Sequence, residues 1–571
     1  MPRWLLLCGV LLMTAEASGQ SPQAGYERSG AMRNQSRSVV MAKHGMVATS
    51  HPLAAQAGLD VLKAGGTAAD AAIATNAMLG VVEPMSCGIG GDLFVIYWDN
   101  KTQKLYGLNA SGRSPYNLSR KTFADKGMSE IPSSGVLSWS VPGCVDGWEE
   151  LRAKFGTKTL AQDLRAAIET AEEGFPVSEV IAGSWKSSVP SLRDWADSTA
   201  TYLIDGARAP AAGEVFRNPR LAKSLRLIAE QGRDAFYKGE IAKEIVSFSE
   251  KQGGYFSLKD FADHTSTWIE PVSTNYRGYD VWELPPNGQG IAALQMLNLL
   301  EPYDLKKLGH NSAEMLHLLL EAKKLAFADR AKFYADPDFA KLPTAELISK
   351  EYARERGKLL DRSKAGIDVP AGSPHLETCD TVYLTVVDKD RNCCSFIQSI
   401  FNGFGSQVVP GNVGFAMQNR GCLFALDDKH LNRLEPHKRP FHTIIPAMVT
   451  KDGQPWFCYG VMGGDMQAQG HVQILLNIID FGMNVQAAGD AARVMHTGSA
   501  DPTGAPANGS GTVHVEAGVS DEAVAVLKAK GHKVFRSRGG YGGYQGILLD
   551  REQGTLHGGT EPRKDGAAVG Y

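Results

Sequence analysis

The sequence predicts an α+β body built from several packed layers. Blocks of helical periodicity fill the first two thirds of the chain, whereas short apolar strands with Gly-rich turns dominate beyond Thr381. No linker or low-complexity stretch separates the two textures, which predicts one interwoven body rather than beads on a string. With 571 residues the chain is long enough for a large multilayered core.

The elements follow in order. The stretch HPLAAQAGLDVLKAGG sets Ala54, Ala55, Leu59, Val61 and Leu62 on one helical face and stops at Gly65-Gly66. TAADAAIATNAMLGVVEP predicts a second, Ala-rich helix, opened by Thr67 as N-cap and closed before Pro84. Side chains that small at such density predict tight packing against a sheet. SCGIGGDLFVIYWD then passes from a Gly-rich turn into a strand from Leu93 to Trp98. Its glycines are followed by a strand, not a helix, and lack a Lys-Ser/Thr pair, which argues against a nucleotide phosphate loop. From Leu160 to Lys364 the pattern is mostly helical, and SAEMLHLLLEAKKLAFADRAKFYADPDF is its longest amphipathic run. Past Thr381, the runs TVYLTVVD, CCSFIQSIF, GFAMQN, TIIPAMVT and WFCYGVMGG read as strands, HVQILLNIIDFG as a helix, and Thr497 to Gly511 as a loop.

Charge and cysteine usage exclude some functions. A net charge of −3, from 59 basic and 62 acidic residues, argues against a nucleic-acid partner, which would need a basic surface. Met1-Pro-Arg3, the short apolar run Trp4 to Met13 and an Ala15-Glu-Ala17 arrangement predict a cleaved secretory signal over residues 1–19. That run is too short to span a bilayer, so a soluble, exported (periplasmic or extracellular) protein without a membrane anchor is expected. The cysteines beyond it, Cys87, Cys144, Cys379, Cys393, Cys394, Cys422 and Cys458, are odd in number and irregular in spacing, so most are expected to be core residues. There is no CxxC and no HExxH, and neither a metal nor a cofactor is expected.

On its own, Asp380-Thr381 is an ordinary entry into a strand. The motifs AGLDVLKAGGTAADAAIATNAMLGVVEP, GIGGDLFVIYWD, EAKKLAFADRAKFYADPDF, DTVYLTVVDKDRN, NGFGS, GVMGGDMQ and EPRKDGAAVGY change that reading. Taken together and in this order, from about Val39 to the last residue, they resemble the γ-glutamyltransferase (glutathione hydrolase) family of the N-terminal-nucleophile hydrolase superfamily. The resemblance implies a four-layer αββα sandwich made as one precursor that cuts itself before a threonine. Here that is Thr381, with Asp380 on the other side of the bond. The products would be a large chain, 20–380, and a small chain, 381–571, held together as a heterodimer. The resemblance further implies that Thr381 attacks a γ-glutamyl or similar acyl amide and passes the acyl group to water or an amine. Its freed α-amine would act as base, since an α-amine titrates near pH ~8. Ser399 stands where the family has a second threonine bonded to the nucleophile, and Gly463 and Gly464 match the glycine pair whose N–H groups meet the oxyanion.

The donor pocket departs from the family's pattern. In place of the carboxylate-binding arginine stands Ser111, with Arg113 two residues on. The position of the ammonium-binding Asn is Phe401, the Gln-x-x-Asp reads Arg420-Gly421-Cys422-Leu423, and the paired serines become His442 and Thr443. Arg113, Arg420 and His442 lean cationic, while Gln418, Asn419 and Thr443 offer neutral acceptors. A γ-glutamyl or similar acyl donor stays the leading expectation, with weak glutathione hydrolysis, and a glutaryl- or β-lactam-type acylase, whose acidic donor lacks the amino group, is the alternative. An inactive secreted scaffold is the remaining alternative.

Overall fold

A computed structural model describes residues 35–366, 379–499 and 501–571, with only the backbone of Cys379 and Asp380. The expected signal at 1–19 lies outside them. Two seven-stranded sheets form the centre. The first runs, in spatial order, Val40–Ala42, Thr555–Thr560, Gly543–Asp550, Gln454–Met462, Ala447–Lys451, Tyr279–Glu283 and Val272–Tyr276. The second runs Ala567–Gly570, Met46–Thr49, Cys379–Val387, Cys393–Asn402, Asp92–Asp99, Lys104–Ala110 and Thr267–Ile269. The strand pairings among the described residues of both sheets are antiparallel.

Alternation along the strands builds the layers. In Cys379–Val387, Val382, Leu384 and Val386 face a helical layer that includes Ala68–Val82, Leu160–Glu173 and Pro219–Gln231. Tyr383 and Val387 instead enter the layer between the sheets, beside Phe94, Ile397, Met448 and Ile547. In Gln454–Met462, Phe457, Tyr459 and Val461 face the opposite helices, among them Gly290–Leu300, Ala313–Phe333 and Met466–Ile479, whereas Cys458 and Met462 join the central layer. A strand buried on both faces reads as a nearly continuous apolar run, as this one does. The stacking is the expected αββα order.

Local signals act as expected. Thr67 caps Ala68–Val82 in a capping box with Asp70, and every residue of that helix is buried, so its small side chains let it sit flat on the sheet. Cys87, Cys144, Cys393, Cys394 and Cys458 are buried free thiols, and Cys422 is half-buried. Adjacent Cys393 and Cys394 point to opposite faces, one into the central layer and one toward the helices. Cys379 lies outside what is described at side-chain level.

The sheets approach closely where Gly460 faces Tyr383. A Cβ on Gly460 would sit 2.4 Å from the Tyr383 ring. Gly460→Val is expected to cost about 1–3 kcal/mol through overpacking, seen as a lower urea midpoint. Gly183→Ala, in a helix with open space around it, serves as the control and should be neutral or stabilising. An unchanged midpoint for Gly460→Val would show that the two sheets can part at no cost.

Candidate active site

Thr381 stands at the start of an inner strand, and the ladder is irregular there. Asp380 pairs with Phe401 and Val382 with Gln398, so Thr381 stands opposite two residues, Ser399 and Ile400, and the bulge lies on that partner strand. Bulges re-aim side chains, and the Thr381 Oγ1 hydroxyl donates to Ser399 Oγ at 3.3 Å. Ser399 Oγ also accepts from the Phe401 N–H at 2.8 Å, and Phe401 holds a left-handed φ of 80°, uncommon for a bulky residue. Thr381 is 1% exposed. A nucleophile-type hydroxyl is thus held next to a strained backbone turn, out of water.

A buried polar row continues from it. Asp92 is the cross-strand partner of Ser399. Its Oδ1 accepts from the Gly112 and Gly143 N–H groups, both at 3.0 Å, and from Gln418 Nε2 at 2.8 Å, and its Oδ2 accepts from His442 Nε2 at 3.1 Å. His442 Nδ1 in turn accepts from the Ile444 N–H at 3.4 Å, which fixes the neutral tautomer. Burial, then the Arg420 charge, lowers its pKa to about 3. His442 is therefore not the cation expected from the sequence: desolvation outweighs the Asp92 contact. Arg420 is fully buried, donates to Thr443 Oγ1 at 2.8 Å and lies 4.8 Å from the Phe401 ring centre. Arg420, His442, Thr443 and Gln418 thus come together. Asn419 is used within the fold, donating to Ser133 O at 2.6 Å and accepting from the Asn402 N–H at 3.2 Å. Arg113 is partly exposed and donates to Thr265 O at 3.1 Å. Arg439, missed in the sequence, shares that carbonyl at 3.2 Å and bonds Ser111 O at 3.1 Å.

Gly463 and Gly464 link the strand Gln454–Met462 to the helix Met466–Ile479, with φ values of 116° and 54°. A Cβ on Gly463 would stand 3.0 Å from Gly542 Cα, so the turn needs glycine for both conformation and space. Gly463 O accepts from the Met466 N–H at 2.9 Å and Gly464 O from the Gln467 N–H at 3.2 Å. Gln289 Nε2 ties Gly464 O at 2.9 Å to Thr443 O at 2.7 Å. Contacts therefore run unbroken from Thr381 through Ser399, Phe401, Arg420 and Thr443 to the glycine turn.

Among the described residues, His317, Glu321 and His532 bring potential metal-ligand atoms within 4.8 Å of one another. Their bonding is already internal. His317 Nδ1 and His532 Nε2 lie 2.8 Å apart, and Lys324 Nζ meets Glu321 Oε1 at 2.8 Å. The buried ammonium would oppose a divalent cation, and these residues are read as a packing network.

Two face-to-face sheets sheathed in helices, with a threonine hydroxyl at the head of an inner strand, define an N-terminal-nucleophile hydrolase. Over residues 54–571 the chain matches the family described as Gamma-glutamyltranspeptidase. It is 41% identical to the "Glutathione hydrolase-like YwrD proenzyme" of Bacillus subtilis, covering 94% of this chain and 99% of that one. It is 35% identical to the "Acylase ACY 1 proenzyme" of Pseudomonas sp. strain SE83, covering 92% and 93%. The crystal structure of cephalosporin acylase from Bacillus halodurans matches with a TM-score of 0.87 at 44% identity, covering 96% and 99%. The chain belongs to the gamma-glutamyltranspeptidase family of enzymes. No described helix is long and apolar enough to cross a membrane.

The neutral state of His442 predicts a pH dependence. The native imidazole refuses a proton down to about pH 3, whereas the unfolded one accepts it below its ordinary value of 6.5. Protons therefore bind the unfolded state first, and stability falls as pH drops below ~6.5. His442→Asn should remove up to about 1.4 kcal/mol per pH unit of that acid slope, whatever it does to stability at neutral pH. Urea midpoints from about pH 7 to pH 5 check this, and parallel curves for both proteins would refute it.

Proposed function

We propose that this chain is an exported, self-processing amidohydrolase or acyltransferase whose nucleophile is Thr381. The observation that carries the reading is the Thr381 hydroxyl, buried and bonded to Ser399 at the head of an inner strand, opposite a bulge. In maturation, Oγ1 attacks the Asp380 carbonyl carbon, the peptide bond shifts to an ester, and water releases Asp380 as a carboxylate. Thr381 then carries a free α-amine that can take its hydroxyl proton. The same hydroxyl attacks a donor amide, the backbone N–H groups at Gly463 and Gly464 meet the oxyanion, and the acyl-threonine ester is resolved by water or an acceptor amine. The two product chains stay together through the shared sheet, and no cofactor is required for these steps.

The donor is a small acyl amide ending in an anion and lacking a required α-ammonium. Arg420 supplies a buried positive charge beside Thr443. The carboxylate of this row, Asp92, is engaged by His442, Gln418 and two backbone N–H groups, so it is poorly placed to bind a substrate ammonium. Gln418 Oε1, which has no hydrogen-bond partner among the described residues, is a neutral acceptor and binds an ammonium more weakly than a carboxylate would. A relative named cephalosporin acylase at 44% identity supports an acyl donor of this kind.

Purified protein should run as two chains on a denaturing gel, with the smaller beginning Thr-Val-Tyr-Leu-Thr, while Thr381→Ala remains uncut. A Thr381→Ala protein that matures would remove the nucleophile assignment. Glutaryl anilide should be turned over at least as well as γ-glutamyl anilide, and Arg420→Leu should weaken both, by about tenfold or more if a desolvated charge contact is lost. Fast, saturable glutathione hydrolysis with no activity on glutaryl amides would overturn the donor assignment.

A further inference from the structure

Arg330 lies in the helix Ala313–Phe333, on the far side of the glycine turn from the strand that holds Thr381, and it is fully buried. Its guanidinium forks to both oxygens of Asp465, at 2.5 and 3.1 Å, and donates to Gln289 Oε1 at 2.7 Å. A third carboxylate oxygen, of Asp501, lies 3.5 Å away, and the Phe327 ring centre lies 3.9 Å from the guanidinium carbon. Asp465 directly follows Gly463-Gly464, and Gln289 holds the Gly464 carbonyl. Burial raises the Asp465 carboxyl pKa, but the Arg330 charge outweighs it and holds the group below the ordinary carboxylate range.

The geometry of a trans peptide gives this network a consequence. The C=O and N–H of one peptide unit point in opposite directions. The Gly463 carbonyl is turned toward Met466 and the Gly464 carbonyl toward Gln467 and Gln289. The N–H groups of Gly464 and Asp465 must then face the other way, and the Gly464 N–H donates to nothing among the described residues. Two successive glycines have the widest backbone freedom of any pair, so this orientation persists only if something outside the turn imposes it. Arg330 and Gln289 lie upstream of Asp380; Asp465, Gly464 and Thr443 lie downstream.

We infer that Arg330, acting through Gln289 and Asp465, is a positioning residue that aims the Gly464 backbone N–H of the glycine turn at the acyl oxyanion, so that the upstream chain sets the oxyanion geometry of the downstream one. This rests on the assignment of Thr381 as nucleophile and of the glycine turn as oxyanion donor. This donor acts on developing charge, so its misalignment reduces kcat far more than it changes KM. Lysine keeps the charge but lacks the planar fork that reaches Asp465 and Gln289 together.

The test compares matured wild type with Arg330→Met, Arg330→Lys, Gln289→Leu and Thr381→Ala, on one anilide donor. Arg330→Met is expected to lower kcat by about a hundredfold, the scale of a lost oxyanion donor, with KM within about threefold. Arg330→Lys should recover part of that loss. Gln289→Leu, which introduces no charge change, should reduce kcat in the same manner and covers the case in which Arg330→Met fails to fold. If Thr381→Ala is inactive while Arg330→Lys and Gln289→Leu keep kcat within about threefold of wild type, or change KM alone, this inference falls and the nucleophile assignment stands. A Thr381→Ala protein that still turns over would overturn both.

Discussion

The alternation of side chains along Cys379–Val387 is the constraint from which the rest follows. The strand is buried on both faces, one against helices and one against the second sheet. Residues of one parity must be apolar enough for a helix layer, as Val382, Leu384 and Val386 are, and those of the other must fit the narrow space between the sheets. Thr381 falls on the second parity at the strand's end, opposite the bulged Ser399-Ile400 of the partner strand. A hydroxyl placed there is dry, rigid and within reach of a partner strand. A buried hydroxyl also needs a partner, and Ser399 on the neighbouring strand provides it.

That dryness governs the electrostatics around the site. In a low-dielectric layer an unpaired charge is costly, and charged contacts are strengthened. Asp92 accepts from donors at four places in the chain: Gly112, Gly143, Gln418 and His442. Its carboxylate is used to fix the geometry at those places. His442 consequently works as a neutral donor, and Arg420 remains as the buried cation of the row. The proposed anionic donor rests on this distribution of charge, with Asp92 engaged by four donors and Arg420 buried beside Thr443. A count of basic residues in the sequence does not report that distribution.

The downstream chain supplies Thr381, Ser399 and the glycine turn, whereas the upstream chain supplies Asp92, Gln289 and Arg330. Each sheet combines strands from both sides of Asp380, since Met46–Thr49 and Asp92–Asp99 flank the inner pair Cys379–Val387 and Cys393–Asn402. A cut at this bond therefore leaves both products embedded in shared hydrogen-bonded ladders. Separation would expose strand edges at each junction between the two products and the central apolar layer, a cost far larger than any single contact.

Local pattern in the sequence was sufficient for the elements themselves. Thr67 and Asp70 cap a helix because capping needs residues three apart, and the apolar run after Thr381 is a strand because both its faces are buried. The linear motifs made Thr381, Ser399, Gly463 and Gly464 the candidates, and the fold brings the Thr381 and Ser399 hydroxyls into contact. What the sequence could not show was charge state and company. Arg330 reads as one more basic residue on a long amphipathic helix, Gln289 as a loop residue and Asp92 as a strand entry. The Arg330–Asp465 and Asp92–His442 contacts span 135 and 350 positions. No periodicity of a helix or strand reaches across such separations. Sheet pairing and layer stacking decide them, because they alone determine which distant side chains share one water-free volume and must therefore satisfy each other.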